Sequence, residues 1–492
     1  MTEYKWTALS NTSLGVLMSS LDGNIVLIAL PTIARDLPGT SLLDLLWILL
    51  GYQLVTASVL VNFGRLADMF GRVRLYNFGF AVFTIGSALC GLSQSSFQLI
   101  AFRMVQAIGA AFLFSNSAAI ITDAFPSNER GRALGTNQVV IVVGSVTGLV
   151  LGGFLTAAAG WRSIFWVNVP IGIFATTWSH YRLREMGLIR KGQKLDIPGN
   201  LTFAAGLTSI LLAITLYAVS SLPLQEFYSL VATGVALLAA FVFIEGRVQE
   251  PMLNFSLFSI RLFSAGNIAV FLNALARGAV SLVMVFYLQG PSMGLDPLAA
   301  GIFLIPISAS LALFGPISGW ISDKHGARVL STLGLLVSSA GFLLLTTIGT
   351  TVTFEQLIPP LVLIGSGMGL FASPNRASIM NSVPQEARGI ASGITVTLVN
   401  IGATFSLGLA FVIMTLSMPI ADLERIFLGP SGLSNVPWIG DFMTSIHSVF
   451  YLSTVVLLVA VVPSVMRGKP SNSTPEATAP TGDRIESGKS AM

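Results

Sequence analysis

Residues 9–31 read LSNTSLGVLMSSLDGNIVLIALP, an apolar run of helix-forming residues with one carboxylate, Asp22, near its middle. A run of this length without Lys or Arg is long enough to cross the hydrocarbon core of a bilayer as a helix. An ionisable side chain inside such a helix is energetically costly and therefore marks a functional position. The run lacks a small-residue cleavage site and carries Pro31, so it predicts a retained spanning helix rather than a signal peptide.

The composition of the whole chain agrees with this start. The 492 residues are 53% hydrophobic and only 10% charged, with a mean hydropathy of +0.79. Such a chain is too apolar for a soluble protein of this length. It contains one cysteine, Cys90, so an intramolecular disulfide is excluded. We expect an all-α polytopic membrane protein without a soluble catalytic domain.

Apolar segments of spanning length recur along the chain, and fourteen of them are expected to cross the membrane. An even number of spans places both termini on the same side. The segments are 9–34, 42–63, 75–95, 97–122, 134–158, 163–183, 198–219, 227–245, 264–289, 298–321, 329–349, 356–379, 390–416 and 444–466.

The distribution of basic residues predicts the orientation. Most of the 26 Lys and Arg residues fall in the termini and in the connections that follow even-numbered spans. Only Arg35, Arg162 and Arg425 fall in the opposite loops. Because basic loops stay in the cytoplasm, we expect both termini there and the protein in the plasma membrane. The positive net charge of +4 is thus explained by topology, and no nucleic-acid binding is expected.

Two sets of residues repeat in the two parts of the chain. The loop Gly64-Arg-Leu-Ala-Asp68-Met-Phe-Gly71-Arg72 resembles Gly319-Trp-Ile-Ser-Asp323-Lys-His-Gly326. At a similar spacing, the sequence around Pro126 and Arg130 recurs around Pro384 and Arg388. The repeat maps span 2 onto span 10 and span 4 onto span 12. It predicts two six-helix bundles, 1–190 and 263–466, with a two-helix insertion at 191–262.

Two further regions are expected outside the membrane. Residues 417–443 are expected to form an external loop, and 467–492, rich in Ser, Thr, Pro and charge, a disordered cytoplasmic tail.

Several motifs in order resemble one known family. They are Leu21-Asp22 through Pro31, Gly64 to Arg74, Arg103-Met-Val-Gln106 to Ala111, Gly144 to Gly153, Trp161-Arg162 with Asn168-Val-Pro170, and Pro374-Asn375 with Pro384 and Gly389. The chain resembles the fourteen-span drug:proton antiporters of the major facilitator superfamily. The resemblance implies a parallel repeat of six-helix halves with the substrate site between them. It implies small-molecule substrates and protons as partners besides the lipid bilayer, no cofactor, no metal and a monomer.

The repeated loop is a candidate gate, comprising Gly64, Asp68, Gly71 and Arg72 and, in the second copy, Gly319, Asp323 and Gly326. The resemblance implies that Asp68 pairs with a basic residue and a helix N-terminus to close the cytoplasmic side of the outward-facing state. The alternative is a solvated turn that only sets orientation.

Depth along the helices relates three charged residues within spans. At roughly 1.5 Å per residue, Asp22 lies about 20 Å from the cytoplasmic start of its span, and Arg277 about as far along span 9. Arg103 lies about 9 Å from the external start of span 4, nearly the same level in a core of roughly 30 Å. We therefore expect Asp22, Arg103 and Arg277 in one layer, with ion pairing or contact with a water-filled cavity.

These three residues carry the coupling hypothesis. A buried carboxyl beside an arginine can change protonation as access alternates, so a drug cation and a proton would compete for Asp22. The resemblance implies that Arg103 acts in proton relay, although Ala107 stands where the family usually has glycine. The alternative is a fixed structural ion pair. Arg277 is expected to be a second partner of Asp22, or else to favour anionic or zwitterionic cargo.

Span 5 carries glycines mostly at four-residue intervals, Gly144, Gly148, Gly152 and Gly153, which favours close helix packing. The resembling antiporter motif normally has proline after the second glycine, where this chain has Leu149.

Polar and aromatic residues in spans are candidates for lining the cavity, with simple packing as the alternative for each. They are Tyr52, Gln53, Asn116, Asn137, Gln138, Phe271, Asn273, Tyr287 and Asn400. The preferred function is proton-coupled export of drugs or other amphipathic small molecules. The alternatives are transport of one specific, possibly anionic metabolite and an integral-membrane enzyme or sensor, which would need clustered His or acidic residues or a soluble domain.

Overall fold

A computed structural model describes residues 2–126, 129–186, 196–219, 222–248, 251, 253, 255–290, 292–384, 387–428 and 438–467; the side chains of residues 2, 3, 61, 131, 138, 323, 325 and 389 lie outside this description. Every regular element within these ranges is helical. The helices are α1 (Thr2–Asp36), α2 (Leu42–Phe70), α3 (Arg72–Leu92), α4 (Ser96–Ala124), α5 (Arg130–Ala159), α6 (Ser163–Trp166), α7 (Asn168–Arg182), α8 (Ile197–Val219), α9 (Leu224–Glu245), a 3-10 helix (Phe255–Ser259), α10 (Arg261–Arg277), α11 (Val280–Gln289), α12 (Pro297–His325), α13 (Ala327–Leu345), α14 (Phe354–Asn381), α15 (Arg388–Ser417), α16 (Ile420–Leu428) and α17 (Ile439–Met466).

Thirteen helical segments of the described residues are long and apolar enough to cross a membrane. The sixth predicted span, 163–183, is instead divided into the short α6 and the longer α7. Pro170 lies in the first turn of α7, where it cannot donate to the carbonyl of Trp166. The predicted all-helical polytopic fold is confirmed. The sixth span differs from the prediction because it is divided into two helices.

The ninth predicted span consists of α10 and α11, which separate at Gly278-Ala279. The backbone of α15 comes so close there that a side chain on Gly278 would meet the Cα of Ala403 at 2.7 Å. The amide of Ala279 donates to the Oγ of Ser406 at 3.0 Å. The interruption is therefore stabilised by α15.

The helices form two groups. In the N-terminal half, α1 packs against α4, α5 and α7, and α4 also packs against α2 and α3. In the C-terminal half, α14 packs against α12 and α13, and α10 packs against α15 and α17. The halves meet where α5 contacts α12 and where α2 contacts α15. A direct hydrogen bond joins them as well, because the side chain of Gln289 donates to the carbonyl of Ile28 at 2.9 Å.

The inserted pair α8–α9 contacts both halves. Helix α8 packs against α9, α2 and α15. An apolar cluster of Leu54, Phe203, Leu211 and Phe241 fills this region. The indole nitrogen of Trp47 also lies 3.3 Å from the hydroxyl of Thr215. The insertion therefore covers the line along which α2 and α15 meet.

The predicted external loop 417–443 is not entirely a loop. It contains α16, whose apolar residues Leu423, Ile426 and Phe427 are buried. Phe427 stacks on Phe286 with ring centroids 3.8 Å apart. Apolar residues three and four apart form one face of a helix, which explains why this short segment folds onto α11. The predicted tail beyond residue 467 lies outside the described residues.

Candidate functional site

The structure brings Asp22 and Arg103 together inside the N-terminal half. Nη1 of Arg103 donates to Oδ2 of Asp22 at 2.5 Å. The side chains are 1% and 0% exposed, respectively. This contact agrees with the prediction that Asp22 in α1 and Arg103 in α4 lie at nearly the same depth in the membrane. The charge of the carboxylate is thus balanced by its closest neighbour.

Two amide side chains complete the surroundings of the carboxylate. Nε2 of Gln106 donates to Oδ1 of Asp22 at 2.8 Å, and Nδ2 of Asn168 donates to the same oxygen at 3.1 Å. The Oε1 of Gln106 in turn accepts from Arg103 at 2.7 Å. Asn168 also lies 3.2 Å from Ser87, whose hydroxyl donates to the carbonyl of Phe165. Helices α1, α4 and α7 are therefore connected through one carboxylate, and Ser87 adds α3 through its contact with Asn168.

Tyr52 and Cys90 also line this cluster. The guanidinium carbon of Arg103 lies 4.1 Å from the ring centroid of Tyr52, which is typical of a cation–π contact. The hydroxyl of Tyr52 has no hydrogen-bond partner among the described residues. Sγ of Cys90 lies 3.9 Å from Oε1 of Gln106.

The burial of Asp22 corrects one part of the coupling hypothesis. Because the carboxylate has no exposed surface, a cationic drug cannot reach it in this conformation. Direct competition of a cargo and a proton for the same oxygens is therefore wrong for this state. Protonation would have to act on the cargo site through the helices that Asp22 connects.

Arg277 is not the second partner of Asp22. It forms no ion pair among the described residues, and its Nε donates to Oδ1 of Asn273 one turn earlier in α10, at 3.2 Å. The side chain remains partly exposed. The expected contact of Arg277 with Asp22 is therefore wrong: similar depth along two helices does not fix the direction in which each side chain points.

The first copy of the repeated loop forms a charged cluster between α2, α3 and α4. Arg72 contacts Asp68 at 2.8 Å and Asp123 at 2.8 Å. The carboxylate of Glu185 accepts from the backbone amides of Arg72 and Val73, at 3.0 and 2.9 Å. A negative group at a helix N-terminus is electrostatically favourable. The ion pair of Asp68 with Arg72 thus lies within the N-terminal half.

Glycines permit the turn and the close approach in both copies of the loop. Gly71 and Gly326 have positive φ of 105° and 83°, a conformation that favours glycine. A side chain on Gly319 would meet the hydroxyl of Ser373 at 2.8 Å, whereas Gly64 has no neighbour within 4 Å. The side chain of Asp323 lies outside the described residues.

The glycines of span 5 pack against α1. A Cβ atom on Gly144 would lie 3.0 Å from the carbonyl of Leu17, and one on Gly148 2.7 Å from that of Leu21. Gly152 faces Ile25 and Ile28 of the same helix. Gly153 instead faces the backbone of Pro297 in α12, so this residue contributes to the contact between the halves.

The other cavity candidates are distributed unevenly. Gln53 accepts from Thr404 across the two halves at 3.2 Å. Asn116 bonds within its own helix, and Asn137 accepts weakly from Ser117 at 3.5 Å. Phe271 and Asn400 are partly exposed, and the side chain of Gln138 lies outside the described residues. Tyr287 is wrong as a cavity residue, because it is fully buried and donates to the carbonyl of Gly349.

Sequence reasoning missed four residues as members of the site. Gln106 follows Arg103 by three positions and so lies on the same helix face, which is a readable signal. Asn168 lies two positions before Pro170 in an apolar span, which is a weaker signal of a functional residue. Asp123 reaches the loop from α4, and Glu185 reaches it from the segment that follows α7. Only tertiary structure shows that.

Comparison with known sequences identifies relatives over most of the chain. The sequence profile described as Major Facilitator Superfamily matches residues 12–407 and 266–487. The chain is 36% identical over 415 residues to the riboflavin transporter RibZ of Clostridioides difficile, covering 83% of this chain and 87% of RibZ. It is 30% identical to the multidrug transporter protein MdtP of Bacillus subtilis, covering 82% and 74% of the two chains. It is 33% identical to the multidrug resistance protein Stp of Mycobacterium tuberculosis, covering 80% and 73%.

Comparison with solved structures supports the same fold. A bacterial homologue of the human lysosomal transporter Spinster, solved in an inward-facing and unoccupied conformation, superposes with a TM-score of 0.68. The sequence identity is 17%, and the match covers 95% of this chain and 97% of the other. The two-half helical architecture, the profile match and the relatives agree, and the chain belongs to the major facilitator superfamily of membrane transporters.

Proposed function

We propose that this transporter exports amphipathic small molecules across the plasma membrane in exchange for protons, as a monomer with both termini in the cytoplasm. The observation that carries proton coupling is the buried Asp22, a titratable group that links α1 to α4 and α7. Relatives named as multidrug transporters support drug-like cargo. Arg103, Gln106 and Asn168 donate hydrogen bonds to this carboxylate.

The contacts between the halves support an inward-facing state. Gly153 with Pro297 and Gln289 with Ile28 lie toward the helix ends that the charge distribution places outside the cell. Toward the opposite end of α2, a Cβ atom on Gly64 would meet no atom of another helix within 4 Å. A cavity between the halves would thus open to the cytoplasm, where an exporter collects its cargo. When the halves rock, the charged cluster around Asp68 would close this side.

Protonation would alter the coupling site by removing the charge that its neighbours stabilise. Neutral Asp22 no longer attracts Arg103 electrostatically, and the amide contacts from α4 and α7 weaken. The bond network between α1, α4 and α7 would then relax and favour the other conformation. One proton moving inward through 100 mV contributes about 2.3 kcal/mol, enough to support tens-fold accumulation of cargo.

The test uses proteoliposomes with a pH-sensitive dye inside and an imposed pH gradient. Rhodamine 6G and riboflavin are the trial substrates. Wild type should move protons when a transported compound is added. Asp22→Asn should lose proton movement, whereas Asp36→Asn, an exposed aspartate on the same helix, should not. Undiminished proton-driven transport in Asp22→Asn would rule out this role for Asp22.

The alternative is transport of one specific metabolite. The relative named a riboflavin transporter favours it, and so does the charge of Arg277, which pairs with no carboxylate among the described residues. Competition experiments distinguish the two functions. A drug transporter should be inhibited by several unrelated compounds, whereas a metabolite transporter should respond to a single compound and its close analogues.

A further inference from the structure

Arg277 and Asn273 form a hydrogen-bonded pair in which one buried donor, Nδ2 of Asn273, has no acceptor among the described residues. Nε of Arg277 can only donate, so it fixes the amide of Asn273 with Oδ1 toward the guanidinium. Nδ2 of Asn273 is then directed elsewhere, and it has no acceptor among the described residues although the residue is only 6% exposed. A buried donor that stays unsatisfied costs free energy. The arrangement is therefore incomplete without an added oxygen acceptor.

Arg277 lies within the membrane-spanning segment Arg261–Gln289, and part of the residue remains exposed. A charged side chain at such a position faces the interior of the helix bundle or a water-filled cavity rather than lipid. Arg277 is the last residue of α10, where the helix dipole supplies at most about half a negative charge. The dipole favours a cation there but does not neutralise it. A net positive charge remains.

The charges of the two halves differ. In the N-terminal half, the negative charge of Asp22 is balanced by Arg103 and hidden from solvent. In the C-terminal half, the described residues give Arg277 no carboxylate. The accessible unbalanced charge is thus positive. It would repel cationic cargo and attract anionic cargo.

We propose that Arg277 and Asn273 bind a negatively charged group of the cargo, such as a carboxylate, sulfonate or phosphate. The guanidinium Nη atoms and the amide Nδ2 donate to its oxygens. This inference rests on the proposed transport function and narrows the cargo to organic anions.

The test uses two dyes that share a xanthene ring system and differ in charge, carboxyfluorescein and rhodamine 6G. Fluorescence anisotropy measures the binding of each dye to the purified full-length protein. Arg277→Gln should weaken carboxyfluorescein binding about 10- to 100-fold, since hydrogen bonds to a charged group are lost. Arg277→Lys should retain binding within about 10-fold, which excludes a general folding defect. Arg261→Gln, at the exposed start of α10, is the matched control and should bind as wild type does.

A charge introduced at Asn273 gives an independent readout. Asn273→Asp places a carboxylate one turn from Arg277. This carboxylate forms an ion pair with the guanidinium and competes with the anionic group of the cargo. This variant should lose carboxyfluorescein binding and gain rhodamine 6G binding. Equal carboxyfluorescein binding by wild type and Arg277→Gln, including none by either, overturns the proposal. So does tighter binding of rhodamine 6G than of carboxyfluorescein by wild type.

The two proposals fail in different ways. Arg277-dependent binding of carboxyfluorescein without proton-driven movement of either dye would refute proton coupling and leave the anion site standing. Proton-driven export of rhodamine 6G together with Arg277-independent carboxyfluorescein binding would refute the anion site alone.

Discussion

Asn168, at the start of α7, donates to the same oxygen of Asp22 that accepts from Gln106. This contact joins α1 and α7, 146 residues apart in the chain. Among the described residues, Asn168 is the only residue of the divided sixth span that bonds to the carboxylate.

Removing this donor should slow transport. In Asn168→Ala the carboxylate loses one of three hydrogen bonds, so α7 is held less firmly to α1. The rate of proton-driven transport in proteoliposomes should fall about 10-fold. Ser87→Ala, which removes a partner of Asn168 but none of Asp22, should reduce the rate less. An unchanged rate in Asn168→Ala would contradict the assignment.

The ion pair should show strong coupling in stability. Removing one partner of a buried pair leaves an uncompensated charge and costs about 3–5 kcal/mol. Arg103→Gln and Asp22→Asn should therefore each lower the thermal unfolding temperature in detergent. The double variant, in which both charges are absent, should be more stable than the sum of the two losses indicates. Additive losses would show that the pair is not energetically coupled.

The glycine between the halves should be sensitive to size. A methyl group on Gly153 would clash with the carbonyl of Pro297, so Gly153→Ala should separate α5 from α12. Overpacking of this kind costs about 1–3 kcal/mol. The rate of dye export should fall. Gly135→Ala on the same helix, with no atom within 4 Å, is the control and should transport normally. Equal rates in the two variants would argue against a contact that matters for alternation.

A basic residue at the end of the last helix should be destabilising. Arg467 is 3% exposed, and its guanidinium has no hydrogen-bond partner among the described residues. Burial lowers the pKa of Arg467 to about 10. Because the unfolded chain then holds this proton more tightly, stability should increase as the pH rises through that value.

Replacing this charge tests the point at neutral pH. Arg467→Met should raise the unfolding temperature, corresponding to about 1–3 kcal/mol, since a buried charged donor without an acceptor is removed. Arg328→Met, at an exposed position of α13, should have little effect. A lower unfolding temperature for Arg467→Met would mean that the guanidinium has a stabilising contact.

The helices and the contact between Asp22 and Arg103 could be predicted from the sequence, because each depends on properties of a single segment. The length of each apolar segment and the positions of the basic residues depend on the local sequence, so they were sufficient to predict the polytopic fold. Depth along a helix placed Asp22 and Arg103 in one layer. Depth does not fix the direction of a side chain around the helix axis, and for this reason the expected contact of Arg277 with Asp22 was wrong.

Other features depended on packing between distant segments. The division of the sixth span, the position of α16 and the contacts of the inserted pair follow from neighbours that are remote in sequence. The amide of Asn168, the first residue of α7, reaches a carboxylate 146 positions earlier in the chain. No local pattern in the sequence specifies such a meeting.

The bonds around Asp22 indicate where a proton would land. A carboxylate has about four acceptor directions, and the described residues use three, two of them on Oδ1. The unused acceptor direction lies on Oδ2, the oxygen that accepts from Arg103. In the proposed exchange, arrival of a hydrogen ion and release of the guanidinium would therefore involve the same oxygen atom.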